Sequence, residues 1–128
     1  MQRYLLDTHT LLWWLSDDSQ LGERCRHFVS DPRNQIFVSA ASTWEISIKI
    51  ALGKLEAPAD MDSAVEDEGF SKLPISLYHG QLAGQLPPIH RDPFDRMLVA
   101  QAQSEGLILI TADETIPQYK LRTIDPRR

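Results

Sequence analysis

The chain has 128 residues, 42% of them hydrophobic and 24% charged, the size and make-up of one globular domain that buries roughly two thirds of its unfolded surface. Its formal net charge of −5 excludes nucleic-acid binding through bulk positive charge. It leaves a nuclease open, because bound divalent cations invert the sign of an acidic pocket.

No apolar run approaches the length of a membrane helix, and the first residues lead straight into a strand rather than a signal peptide. No membrane partner is expected. Cys25 is the only cysteine. It can form no internal disulfide, which points to a reducing compartment, the cytoplasm.

Tyr4-Leu5-Leu6, stopped by Asp7-Thr8, reads as a buried parallel strand whose last carboxylate leaves the sheet's carboxyl edge. Thr10 to Leu15 is densely apolar and should enter the core on one face, leaving Trp13 or Trp14 for a partner. A polar break, Ser16 to Ser19, precedes a helix from about Gln20 to Ser30 with Leu21, Cys25, Phe28 and Val29 on one side. Asp31 to Asn34 is a turn. Ile36-Phe37-Val38 is a short strand. The next helix opens through Ser39 to Glu45 and stops at Gly53.

A loop with Pro58 comes next, then a weaker, acid-rich helix over Met61–Phe70. Lys72 to Ile75 is expected at a sheet edge, because Pro74 lacks a ladder donor. Ser76 to Leu86 is helical, with Leu77, Leu82, Ala83 and Leu86 as its apolar residues. Pro87 to Arg91 is a stiff connector. Asp92-Pro93 starts a helix that runs to Glu105 and ends at Gly106. Leu107 to Thr111 is a central strand, Lys120 to Ile124 a last one, and Asp125 to Arg128 a frayed tail. Alternating strands and helices predict an α/β fold, a parallel sheet covered on both faces.

Four acids stand out: Asp7, Glu45, Asp95 and Asp113. Each has an ordinary structural explanation. Asp92, Pro93 and Asp95 fit the N-cap, N1 and N3 of a helix. Ser42 to Glu45 fits a capping box, and Glu45 can pair with Lys49 one turn on. Asp7 and Asp113 each end a strand and could simply cap the next helix. The joint pattern goes further. Two acids end the most apolar strands, and two sit in first turns of helices at the same sheet edge, where open α/β sheets bind ligands.

Four neighbouring carboxylates cannot all stay ionised unaided. Mg²⁺ or Mn²⁺ resolves the conflict, since hard cations prefer oxygen ligands. No paired cysteine or helical His pair competes, so zinc is not expected. The chemistry that suits this set is metal-assisted phosphodiester hydrolysis. His9 and His90 stand near the acids in sequence. Arg91 and Arg96 flank them and could hold RNA phosphates or neutralise charge.

Read together, Leu5-Leu6-Asp7-Thr8-His9, Trp44-Glu45-Ile46, His90 to Arg96 and Thr111-Ala112-Asp113 resemble the PIN-domain ribonucleases, in particular the VapC-type toxins of bacterial toxin–antitoxin modules. The resemblance covers essentially the whole chain, 1–128, as a single PIN-like domain. It implies a three-layer α/β/α sandwich and Mg²⁺- or Mn²⁺-dependent endoribonuclease activity. It also implies a homodimer, or a higher toxin–antitoxin assembly, and inhibition by a cognate antitoxin. Asp7, Glu45, Asp95 and Asp113 correspond to the family's catalytic, metal-holding acids. Thr8 and Thr111 resemble its hydroxyl neighbours, and Asp92 is an extra acid, either supporting the site or only capping its helix. Two other readings are a non-catalytic protein-binding module, in which the acids serve only as caps, and a Mg²⁺-dependent phosphatase.

Overall fold

The computed structural model describes Met1–Arg128. In chain order the elements are β1 (Arg3–Leu6), α1 (Thr8–Leu15), α2 (Glu23–Ser30), β2 (Gln35–Ser39), α3 (Ala40–Ala51) and α4 (Met61–Asp67). Then come β3 (Ser71–Leu73), α5 (Leu77–Gln85), α6 (Pro93–Glu105), β4 (Ile108–Ile110), a 3-10 turn (Ile116–Gln118) and β5 (Thr123–Ile124). The strands form one sheet in the order β3-β2-β1-β4-β5, and every pairing is parallel. β3, which ends just before Pro74, is an edge strand as its proline requires.

The pleat sorts the strand side chains into two cores. Tyr4, Leu6, Ile36, Val38, Ile108 and Ile110 face a layer that includes Leu11, Cys25, Ile46 and Val65. Leu5 and Leu109 face the other way, onto Leu98, Val99, Ala83 and Ile116. Helices therefore cover both faces, giving the three-layer sandwich. Fully buried side chains such as Leu5, Leu98 and Leu109 each contribute roughly 1.5–3 kcal/mol. No helix is long and apolar enough to cross a membrane.

Several local expectations need correcting. α3 begins at Ala40, with Ser39 as N-cap accepting from the Ala41 amide. Ser42 and Glu45 are therefore no capping box, and Glu45 lies in the second turn rather than the first. α2 starts three residues later than Gln20, and β5 is only two residues long. Trp14 is not free for a partner, because its indole donates to Glu68 Oε1 at 2.6 Å and its ring packs on Phe70. The tryptophan left exposed is Trp44, at 62%. Leu77, one of the apolar residues of α5, is 96% exposed.

The carboxyl-terminal tail is docked rather than frayed. The Gly22 and Cys25 amides donate to the carbonyls of Pro126 (2.8 Å) and Arg128 (3.1 Å). α2 has no side-chain cap, so the tail supplies acceptors that its first amides would otherwise lack. Only glycine fits at position 22, because a Cβ there would collide with the main chain of Arg127 and Arg128.

Candidate active site

The ladder between the two central strands brings the first and last acids together. Leu6 lies opposite Ile110, and the Asp7 amide donates to the Ile110 carbonyl at 3.1 Å. Neighbouring strands run about 4.8 Å apart, so the segments leaving β1 and β4 emerge side by side. α3 and α6 deliver Glu45 and Asp95 to the same edge. A pocket of about 330 Å³ is lined by Asp7, Glu45, Asp95 and Asp113 together with Thr8, His9, Trp13, Lys49, Asp92 and Ala112. A larger cavity, about 750 Å³, lies among Arg3, Gly106, Lys120 and Arg122, away from these acids.

Each carboxylate is held differently. Asp7 is buried and caps α1, its Oδ1 accepting from the Thr10 amide at 2.9 Å. Burial pushes its pKa up, against the pull of the Thr111 and Thr10 hydroxyls and the Thr10 amide. Glu45 Oε1 accepts from the Thr8 hydroxyl at 2.7 Å, while Oε2 pairs with Lys49 at 3.0 Å. The Thr8 hydroxyl also lies 3.0 Å from Ser42 Oγ.

Asp113 Oδ1 accepts from the amides of Thr115 (2.7 Å) and Ile116 (3.1 Å). Burial raises its pKa, but the hydrogen bond from His90 and those amides outweigh it, and the net direction is down. The Thr111 hydroxyl accepts from the Asp113 amide at 3.1 Å, so it shapes the turn that presents this acid.

Asp95 is the least satisfied of the four. Its pKa is pushed up to about 7, first by burial and then by the negative charges of Asp92, Asp7 and Asp113, against the opposing pull of His90. Its amide is capped by Asp92 Oδ1, which also accepts from Phe94. Asp92 is therefore a helix cap that also lines the pocket. Capping accounts for Asp7 and Asp92, but for neither the Asp95 nor the Glu45 carboxylate.

Sequence reasoning gives His90 only a position near the acids. The structure places its Nε2 3.1 Å from Asp95 Oδ2 and 3.0 Å from Asp113 Oδ2. Its Nδ1 accepts from the Asp92 amide at 3.1 Å, so the ring proton sits on Nε2, between the two acids. One donor atom from each of His90, Asp95 and Asp113 lies within 4.8 Å of the others. Only the histidine's closeness to Asp92 and Asp95 in sequence could have flagged it.

The Arg96 guanidinium, a candidate for RNA phosphates or charge neutralisation, bonds main-chain carbonyls. Its Nη2 donates to the carbonyls of Ala83 and Leu86 at 2.9 and 3.1 Å. Its Nη1 reaches Pro87 O, His90 O and Tyr119 Oη. Arg91 is exposed beside it.

Fold and site together define a parallel α/β/α sandwich with an acid-lined pocket at the carboxyl edge of its central strands. The sequence pattern of the PIN domain matches residues 4–121, and the chain belongs to the PIN-domain family. Over 60 residues it is 45% identical to Ribonuclease VapC16 of Mycobacterium tuberculosis, a match covering 45% of this chain and 43% of that protein. The chain thus aligns with less than half the length of that relative.

Among solved structures, VapBC-1 from nontypeable Haemophilus influenzae superposes with a TM-score of 0.68 at 22% identity, covering 99% of this chain and all of that one. A toxin–antitoxin complex from Klebsiella pneumoniae does so with a TM-score of 0.64 at 20% identity, covering 96% and 97%. At such identities these likenesses speak for the fold.

Proposed function

We propose that the chain is a divalent-metal-dependent endoribonuclease, the toxin of a toxin–antitoxin pair. The observation that carries this reading is the convergence of Asp7, Glu45, Asp95 and Asp113 on one pocket, where Asp95 is so crowded by negative charge and burial that its pKa stands near 7. A cation is the natural complement of that arrangement. The donors are mostly carboxylate oxygens, which fits Mg²⁺ or Mn²⁺. Asp7, Asp95 and Asp113 would hold the ion, with Glu45 beside them. Bound there, it would lower the pKa of a water and stabilise charge on the leaving oxygen.

The chain's own residues set the rest. Thr8 fixes one oxygen of Glu45 and Lys49 the other. That leaves His9 and the exposed Arg91 as groups for RNA phosphates, offsetting the overall negative charge. RNA as substrate is supported by the aligned relative, whose name is that of a ribonuclease.

An apolar groove formed by Leu12, Trp13, Leu15, Leu55 and Pro58 shares His9 and Trp13 with the acidic pocket. Such a surface suits an antitoxin segment that lays apolar side chains in the groove and a basic one among the acids. The superposable Klebsiella structure is a toxin–antitoxin complex. A homodimer, higher toxin–antitoxin assemblies and a cytoplasmic location complete the reading.

The test is RNA cleavage by purified protein in Mg²⁺ or Mn²⁺ against EDTA, with Asp7→Asn and Asp95→Asn as controls. Cleavage should need the metal and vanish in both variants while circular dichroism stays native. A folded wild type that cuts no RNA with either ion would overturn the proposal, as would cleavage that persists in EDTA.

A further inference from the structure

We infer that Tyr119 and Arg96 are positioning residues of the acidic pocket, acting through His90 to hold Asp113 in place against Asp95. The inference rests on the metal-site reading above and names the residues that set the site's geometry.

The sheet alone does not fix the spacing of these two acids. Asp113 lies three residues beyond the end of β4, and Asp95 stands at the start of α6, after a connector from Leu86 to Asp92. Tyr119 belongs to the same segment as Asp113 and is 5% exposed. Its hydroxyl accepts from the His90 amide at 2.8 Å and donates to the Pro87 carbonyl at 3.0 Å. It thereby fastens the Asp113 segment to the connector that carries His90. His90 returns the link through its side chain, with Nε2 between Asp113 Oδ2 and Asp95 Oδ2. The result is a closed circuit through two chain segments and two acids.

Arg96 stiffens that circuit from inside. It reaches five oxygens, on Ala83, Leu86, Pro87, His90 and Tyr119. Ala83 lies in the last turn of α5 and Leu86 is its C-cap, where helical carbonyls lack intrahelical partners and a cation is favoured. Pro87 and Pro88 bring no amide donors of their own. Without the guanidinium, the connector would have few bonds to hold it. Arg96 Nη1 and Nη2 are both committed to these oxygens. Groups bonded directly to metal-binding side chains, as His90 is to Asp95 and Asp113, typically change affinity or activity 10–100-fold when removed, and Tyr119 and Arg96 act one step further out.

The experiment measures Mn²⁺ binding by titration calorimetry on the full chain without RNA, for wild type, Tyr119→Phe, Arg96→Gln and the double variant. Tyr119→Phe removes one oxygen and should keep the fold, checked by circular dichroism and melting in EDTA, should Arg96→Gln prove too unstable. We expect each variant to bind Mn²⁺ several-fold to about tenfold more weakly, the lower end of the range for direct partners, and the double variant to be little worse than the poorer single one. In cleavage assays kcat should fall at fixed metal and recover at excess Mn²⁺, with KM for RNA unchanged.

Wild-type Mn²⁺ affinity in both single variants overturns the brace. So does a raised KM in Arg96→Gln with a shallower salt dependence and intact metal binding, which would make Arg96 a phosphate contact. A wild type that takes up no Mn²⁺ overturns the metal site itself, and is told apart because the failure precedes any substitution.

Discussion

Asp95→Asn should stabilise the metal-free protein, and by an amount that depends on pH. Moving a carboxyl from 3.8 to about 7 corresponds to about 4 kcal/mol at 1.36 kcal/mol per pH unit. The side chain keeps 21% of its surface exposed, so solvent screening reduces this to about 2 kcal/mol. The sign comes from linkage. Below about pH 4 the group is protonated in folded and unfolded chains alike, and the substitution gains nothing. Between pH 4 and 7 the unfolded chain ionises first, and the wild type progressively loses stability.

Above pH 7 that loss is complete, whereas asparagine never ionises and can still accept the His90 Nε2 proton. In EDTA at pH 8 the variant should melt roughly 5–10 °C higher, taking about 3–5 °C per kcal/mol for a domain of this size. At pH 3 the difference should nearly vanish. Mg²⁺ at a hundredfold excess over its dissociation constant should then reverse the order, raising the wild type by about 2.7 kcal/mol and the variant by far less. A variant less stable than wild type at pH 8 without metal would refute the reasoning, since the Asp95–His90 bond would then outweigh the repulsion.

Thr8→Val removes the hydroxyl that fixes Glu45 Oε1 in a buried setting, and should lower stability by about 1–3 kcal/mol in urea unfolding. An unchanged midpoint would mean that Lys49 or Ser42 takes over that oxygen at no cost. Gly22→Ala should lower stability by about 1–3 kcal/mol and speed hydrogen exchange at the Gly22 and Cys25 amides. A neutral outcome would show that the docking of the tail onto α2 contributes nothing.

What can be read from the sequence is what local chemistry encodes. Asp92, Pro93 and Gly106 announce the ends of α6 because a cap, a fixed φ and a positive φ (67° at Gly106) are properties of single residues. β1 and β4 stand out because a strand buried on both faces is apolar throughout. The start of α3 is hard to place because Ser39 and Ser42 are equally good caps, and only the end of β2 decides between them. Ser42 is left buried inside the helix beside Thr8.

The docked tail leaves no signature, since its bonds run between main-chain groups that every residue carries. Arg96 is a related case. A cation next to acids in sequence suggests phosphate binding or charge neutralisation, and gives no sign of its bonds to the carbonyls that end α5. Tyr119 has no role visible in the sequence because its partners, the His90 amide and the Pro87 carbonyl, again lie on the backbone.

Capping and metal holding are not rival accounts of Asp7, because a carboxylate has two oxygens. Oδ1 is committed to the Thr10 amide, which immobilises the side chain during folding rather than during metal capture. The same division recurs at Asp113, whose Oδ1 is tied to two amides. The two functions separate only when the charge is removed and the cap is kept. Asparagine caps a helix about as well as aspartate, whereas alanine loses about 1 kcal/mol. Asp7→Asn should therefore retain the stability of α1 and lose the metal-induced rise in melting temperature. Asp7→Ala should lose the same rise and melt lower than Asp7→Asn in EDTA. If Asp7→Asn still responds to Mn²⁺ as the wild type does, the first acid is only a cap, and the ion must be held by Asp95 and Asp113 without it.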